Sequence, residues 1–332
     1  STLLAFGVLA HLWTTGHEGR SAVLLGIVPY SDAGAFYADA QRMIHGLRFG
    51  ESSRRPLYVA VAGALLRWSG DDLRRLLAIS TLAYGVAMGL SVWEVMRAHG
   101  RLAALLVLGV VYLWVRRFTG FVATEALSFP LGALGFALLL RVADSARKEP
   151  GRSALALGAA MSAVTFAFVA RPGSLLVVPA LVGWSLWAFR GRGRERAVAA
   201  GAAIAGVVLA VLATRVLAAR MASGPTFGDY PAIFYGLIHR GDLYQAGVDH
   251  PELASLDPAD RGRAIFGILY ADVARDPTLL VRGPAEALVS FLVGPHGLFS
   301  FVWTNPDDHV LEDGPLVRRL VAEHGYVGPI QH

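Results

Sequence analysis

The side chains best suited to chemistry open and close the first long polar interval of the sequence, residues 29–55. Asp32 stands near its start, and the pair Arg54 and Arg55 stands at its end. Apolar residues follow Asp32 at helical spacing, which predicts an interfacial amphipathic helix over residues 32–47. The helix dipole favours the ionised form of a carboxylate in the first turn. Asp32 would then suit a general base or a metal ligand; a helix cap without chemistry is the alternative.

A second carboxylate, Asp39, lies on the same predicted helix face as Asp32. Two helical turns separate the two residues by roughly 10 Å along the axis, which is too far for them to share a proton. We therefore expect Asp39 to be solvated or to support Asp32 indirectly.

A third acid, Glu125, follows Thr124 at or just inside one end of an apolar segment. An ionisable group in that position is costly and usually has a partner or lies on a pathway. Arg116 and Arg117 precede it by about two helical turns and could neutralise it. An interfacial ion pair without a role in substrate binding is the alternative.

Arg171 occupies a tight turn between two apolar segments. Guanidinium groups match phosphate oxygens with paired hydrogen bonds. If Arg171 lies on the same side of the membrane as Arg54 and Arg55, several cations converge near Asp32. Taken singly, each arginine is explained by contact with lipid headgroups; taken together, they favour a bound anion.

The composition of the chain requires lipid surroundings. Of 332 residues, 55% are hydrophobic and 17% are charged, and the mean hydropathy is +0.49. Soluble chains carry about a quarter charged residues. Segments approaching the roughly 20 residues that span a bilayer are 73–96, 101–115, 121–143, 153–170, 173–189 and 196–217. The sequence therefore predicts an all-α polytopic membrane protein.

Charge and motifs exclude several classes of function. The net charge is +5, but the arginines stand at the ends of apolar segments, which is typical of orientation signals rather than of a nucleic-acid surface. The chain has no cysteine, so it has neither disulfides nor thiolate metal sites. It also lacks the short motifs of zinc hydrolases, P-loop NTPases, serine esterases and dinucleotide-binding enzymes.

The orientation follows from the connections between the predicted spans. Positive charge marks the cytoplasmic side, and the arginine-rich connections are 97–101, 141–152 and 190–196. Residues 15–72 and the region from 218 onward then face outward. The apolar run near the start of the chain would be the end of a first span, which makes seven.

This orientation divides the chain into two regions. Residues 1–217 would form the transmembrane core, with an external loop at 15–72. Residues 218–332 would form an external or interfacial helical region, with an interfacial or membrane-embedded helix near 284–303. The apolar segment 56–68 is too short to span a bilayer and suits an interfacial helix.

The order of these residues resembles the GT-C superfamily of integral-membrane glycosyltransferases, and most closely its protein-mannosyltransferase and aminoarabinose-transferase-like branch. The features in common begin with an acid in the first external loop, an aromatic residue four positions later, an alanine and a glycine. A basic-Pro-Leu-Tyr entry to a short apolar helix and an acid at the outer start of a later span follow. In this sequence they are Asp32, Phe36, Ala40, Gly46, Arg55, Pro56, Leu57, Tyr58 and Glu125.

The resemblance implies a GT-C-like bundle that transfers a sugar from a polyprenyl-phosphate donor to a glycan, lipid or protein acceptor at the outer face of a cell membrane. The composition, rich in arginine and alanine, favours a bacterial source. Asp32 would be the general base, or would hold a divalent metal. Asp39 and Tyr58 would support it. The residues that would bind the lipid phosphate and the sugar are Arg54, Arg55, Arg116, Arg117, Glu125 and Arg171.

The sequence departs from that family in two residues of the loop. Many relatives carry a second acid where this chain has Ala33, and a tyrosine where it has Phe36. The acceptor-binding half would come from residues 218–332, from a partner subunit or from residues beyond this sequence. The alternatives to an enzyme are a transporter or flippase for a lipid-linked substrate and a non-catalytic membrane assembly subunit.

Overall fold

The computed structural model describes residues 1–15, 23–24, 27–29, 32–50, 55–145, 150–171, 177–189, 193–221, 230–239 and 244–293. Nearly all of the described chain is helical. Its strands are the two-residue antiparallel pair β1 (Val23–Leu24) and β2 (Val28–Pro29). The predicted all-α class is confirmed.

The first eight helices belong to the region predicted as the transmembrane core. They are α1 (Thr2–Thr15), α2 (Asp32–Ile44), α3 (Pro56–Ser69), α4 (Leu73–Phe118), α5 (Glu125–Ser145), α6 (Pro150–Ala170), α7 (Val177–Ala188) and α8 (Gly193–Met221). The region after them contains α9 (Tyr230–His239), α10 (Gln245–Asp249), a 3-10 turn (Pro251–Ser255), α11 (Pro258–Arg275) and α12 (Leu279–Val293).

Four helices within the described ranges are long and apolar enough to cross a bilayer: α4, α5, most of α6, and α8. The two spans predicted at 73–96 and 101–115 are the two helical halves of α4. The helix breaks at Gly100, where φ is 86°, a conformation that L side chains rarely adopt. The predicted connection is therefore a sharp bend between two helical halves.

Two predicted helices of the first loop are present with shifted ends. The helix predicted over 32–47 ends at Ile44 because Gly46 adopts φ 73°. The amide of Gly46 donates to the Met43 carbonyl at 3.0 Å, and that of Leu47 donates to the Arg42 carbonyl at 2.9 Å. These two bonds form a Schellman cap. The short helix predicted at 56–68 is α3, which runs from Pro56 to Ser69.

Small residues bring the core helices together. A Cβ on Gly135 of α5 would lie 2.4 Å from Val164 of α6, and a Cβ on Gly85 of α4 would lie 2.6 Å from Thr2 of α1. Helices in lipid gain packing and close backbone approach at such positions. Glycine contacts therefore set the closest approaches between these helices.

A network of charges ties α4 to α5 at the end of the bundle near Gly100. Glu94 is fully buried, and its carboxylate accepts from Arg97 Nε at 3.0 Å and from Arg141 Nε at 2.9 Å. Arg97 also pairs with Asp144 at 3.3 Å. Sequence patterns assigned Arg97 and Arg141 to basic connections, but the structure uses both to neutralise an acid inside a span.

The region after α8 has its own apolar core, which includes Tyr235, Ile265 and Leu269. Asp257 caps α11: its carboxylate accepts from the Asp260 amide at 3.1 Å, and the helix begins at Pro258. The segment predicted near 284–303 forms α12 over Leu279–Val293, and its remainder lies outside the described residues.

The packing of α8 predicts opposite effects for two alanine substitutions. A Cβ on Gly206 would lie 2.6 Å from Ser162 Oγ and 2.9 Å from its amide nitrogen, whereas Gly201 has nothing within 4 Å. We expect Gly206→Ala to lower the free energy of unfolding by about 1–3 kcal/mol through overpacking. Gly201→Ala should raise it by up to about 1 kcal/mol through helix propensity. Thermal unfolding in detergent measures both, and shifts of the same sign would contradict the packing described.

Candidate functional site

An ion pair between Glu125 and Arg171 forms the centre of the candidate site. Glu125 is the first residue of α5, and Arg171 follows the last residue of α6. The Glu125 side chain is 8% exposed, and Thr124 Oγ1 donates to its carboxylate at 3.1 Å. Burial of that carboxylate is tolerable because a guanidinium compensates its charge and a hydroxyl donates a hydrogen bond to it. Glu125 therefore pairs with Arg171 rather than with Arg116 or Arg117, which the sequence suggested.

Further cations surround this pair. Phe118, the last residue of α4, lies under two guanidinium groups, with its ring centroid 5.4 Å from Arg117 Cζ and 5.6 Å from Arg171 Cζ. Burial, followed by the positive charges of Arg55 and Arg117, lowers the pKa of Arg171. Three of the predicted arginines therefore lie within electrostatic reach of one another, as a site for an anion requires.

Packing between the two helices of the first loop positions Arg55 near these arginines. Arg55 Cζ lies 5.3 Å from the ring centroid of Phe36 on α2. Phe36 in turn meets the Tyr58 ring edge to face, with centroids 5.3 Å apart. The buried aromatic pair thus joins α2 to α3 and sets the position of the arginine that precedes α3.

Asp32 is exposed at the first position of α2. Residues four apart lie on the same side of a helix, so Asp32 shares a side with Phe36, about 6 Å from it along the axis. The carboxylate and the Arg55–Phe36 contact therefore lie on the same side of α2. Arg54 lies outside the described residues. Arg116 is half-buried in the last turn of α4.

Asp39 has a supporting role in the loop. It is buried rather than solvated, with a side chain 2% exposed. Its carboxylate accepts from the Gly50 amide at 2.8 Å and lies 3.9 Å from Arg42 Nη1. The Phe49 amide also donates to the carbonyl of Met221, at the end of α8, at 2.7 Å. These bonds fasten the turn after α2 to the bundle.

A cavity of about 560 Å³ lies between α4, α5 and α6, with Arg171 in its wall. Most of its lining is apolar and aromatic, and its hydroxyl groups come from Ser91 and Ser128. The remaining lining residues are Val107, Val111, Trp114, Phe129, Gly132, Ala133, Phe136, Ala167 and Phe168. The cavity therefore combines apolar walls with one cation, which suits an amphipathic anion.

Sequence reasoning missed Tyr84, a buried residue of α4 beside this cavity. Its ring lies 6.0 Å from that of Phe129, and its hydroxyl has no hydrogen-bond partner in the described part of the chain. A buried hydroxyl without a partner costs about 1–3 kcal/mol. In the sequence Tyr84 is a single tyrosine within an apolar segment. That pattern is the same for a tyrosine that only packs in the core.

The residues that the structure describes contain no group of three or more histidine or acidic side chains that could hold a metal ion. No protein-family model, curated protein or solved structure matches the chain. The resemblance to GT-C enzymes therefore stays an expectation that depends on the residues quoted for it, and the site has to be interpreted from its own geometry.

Asp39 provides a test of how the loop is held. Asp39→Ala removes the acceptor of the Gly50 amide, and we expect residues 45–50 to open more often. Trypsin should then cleave after Arg48 several-fold faster than in the parent protein, as measured by mass spectrometry of the fragments. Asp260→Ala, which removes an exposed acid of α11, is the control and should leave the rate unchanged. Equal cleavage of all three proteins would exclude this role for Asp39.

Proposed function

We propose that the chain is a membrane glycosyltransferase that uses a polyprenyl-phosphate-linked sugar as donor and acts at the outer face of the membrane. The observation that carries this proposal is the cavity between α4, α5 and α6, which has apolar walls and Arg171 in its lining. Asp32 would be the general base. The resemblance in sequence order supports the proposal independently of the cavity.

The donor is assigned from charge and shape. A polyprenyl chain is apolar and would occupy a cavity lined by aromatic and aliphatic side chains. Its phosphate would meet Arg171, with Arg55 and Arg117 close enough to add their fields. Glu125 holds Arg171 in place through their ion pair and keeps one carboxylate near the sugar hydroxyls.

The proposed reaction is an inverting displacement at the anomeric carbon of the sugar. The acceptor oxygen attacks this carbon, and the bond from the carbon to the phosphate oxygen breaks. Asp32 takes the proton of the acceptor hydroxyl. The lipid phosphate leaves with the electron pair of the broken bond, and the arginines stabilise its additional negative charge. In this reaction the same arginines bind the substrate and stabilise the leaving group.

A second candidate function is lipid transport without glycosyl transfer. The observation that favours it is the extent of the cavity, which reaches Ser91 within α4 as well as Arg171 after α6. A transporter would need the cation for binding but not Asp32 for chemistry. The two candidates therefore differ in what they predict for Asp32.

Substitution of Asp32 tests the enzymatic proposal. We expect Asp32→Asn to slow the release of decaprenyl phosphate from decaprenyl-phosphate-linked monosaccharides roughly 100-fold or more, because it removes the base. Binding of decaprenyl phosphate should not change. Asp71→Asn, an exposed acid elsewhere in the chain, is the matched control. If Asp32→Asn retains the parent rate, the catalytic role is wrong and transport becomes the better interpretation.

Removal of the Glu125–Arg171 pair tests the anion site. The double variant Glu125→Gln/Arg171→Gln avoids leaving a buried charge without a partner. Loss of a charged hydrogen bond is worth about 1.5–3 kcal/mol, so decaprenyl phosphate should bind at least about tenfold more weakly. Decaprenol, which has no phosphate, should bind as it does to the parent. Arg74→Gln removes an exposed arginine of α4 as a control. Equal losses for both lipids would contradict phosphate recognition.

A further inference from the structure

The last described helix, α12, has one covered side, one charged stripe and one bare apolar side. Gly283 forms the covered side against α9, because a Cβ there would lie 2.4 Å from the carbonyl oxygen of Leu237. Arg282 and Glu286 form the charged stripe and pair with each other, Nε to Oε1, at 3.5 Å. The orientation of α12 on α9 is therefore fixed by a close contact that leaves most of its circumference uncovered.

The bare side carries four large aliphatic residues. Leu280 is 54% exposed, Val281 72%, Leu288 57% and Val289 58%. At 100° per residue, Val281, Leu288 and Val289 lie about 120–160° from Gly283, and Leu280 borders this side at about 60°. Single exposed hydrophobic residues are common, but a contiguous set of this kind marks an interaction surface.

Pro284 favours a position of α12 on the membrane rather than across it. This proline deprives the Leu280 carbonyl of its intrahelical donor. Such a carbonyl is costly in hydrocarbon but can bond to water or headgroups at the interface.

The chain also keeps α12 close to the lipid surface. Helix α8 ends at Met221, next to Phe49 of the first loop, and α9 begins at Tyr230. The nine Cα–Cα steps from Met221 to Tyr230 extend at most about 30 Å. Since α12 packs on α9, its bare side lies within reach of the leaflet in which α8 ends.

We infer that α12 is an interfacial anchor, with the side formed by Leu280, Val281, Leu288 and Val289 inserted into the acyl chains of that leaflet. The stripe of Arg282 and Glu286 lies at the headgroup level, as in other amphipathic interfacial helices. The partner of this surface is therefore lipid. The anchor holds the region after α8 against the membrane, and it does not depend on glycosyl transfer.

The absence of cysteine from the chain makes this inference directly measurable. Leu288→Cys and Leu280→Cys place nitroxide labels on the bare side, and Glu286→Cys places one on the charged stripe as a matched control. Each full-length variant is reconstituted into vesicles of phosphatidylcholine and phosphatidylglycerol. Power-saturation EPR then compares the access of oxygen, which concentrates in lipid, with that of a water-soluble nickel chelate.

Labels at positions 288 and 280 should collide more with oxygen than with nickel, at a depth of about 5–10 Å below the phosphates. The label at position 286 should show the opposite preference. Low access of both reagents at position 288 would mean that protein covers the bare side, and high nickel access there would mean that water does. Either result overturns the anchor.

Discussion

The pairing of Glu125 with Arg171 is the interaction on which the candidate site depends. An isolated carboxylate at the start of a membrane helix would be costly, and a guanidinium beside apolar walls would be costly as well. Together they neutralise each other and join the start of α5 to the end of α6. The same contact places a cation at the cavity, next to two further arginines. One ion pair therefore provides the structural connection and the proposed binding group.

The helices of the bundle pack closely in some places and leave a cavity in another, and the side chains at each place explain the difference. Helices α5, α6 and α8 approach closely because glycine faces alanine, serine or valine at their crossings. Shortly before the break at Gly100, Glu94 with Arg97 and Arg141 fixes α4 to α5. The break redirects the second half of α4, and aromatic side chains line the space that remains between the helices. The cavity is therefore a product of how the helices are fastened, and its apolar walls suit a lipid chain.

Sequence patterns predicted the positions of the helices better than the interaction partners of individual side chains. Hydrophobic length located α4, α5, α6 and α8, since lipid imposes that length on any span. Charge patterning predicted a connection at 97–101, and the helix breaks there, at Gly100. The partner of Glu125 was assigned to nearby arginines, but the pair that forms is 46 residues apart in sequence. Burial of Asp39 depends on the amide of Gly50 reaching it through a turn, which helical periodicity does not describe.

The central claim is that a lipid phosphate binds with its chain in the cavity of α4, α5 and α6. Irradiation of the full-length protein in vesicles with a polyprenyl phosphate that carries a diazirine along its chain, followed by peptide mapping, tests it directly. We expect adducts at cavity residues such as Val111, Trp114 and Ala167, which should be lost when excess unlabelled polyprenyl phosphate competes. Adducts confined to exposed surfaces such as Leu105 and Leu209, unaffected by the competitor, would contradict it.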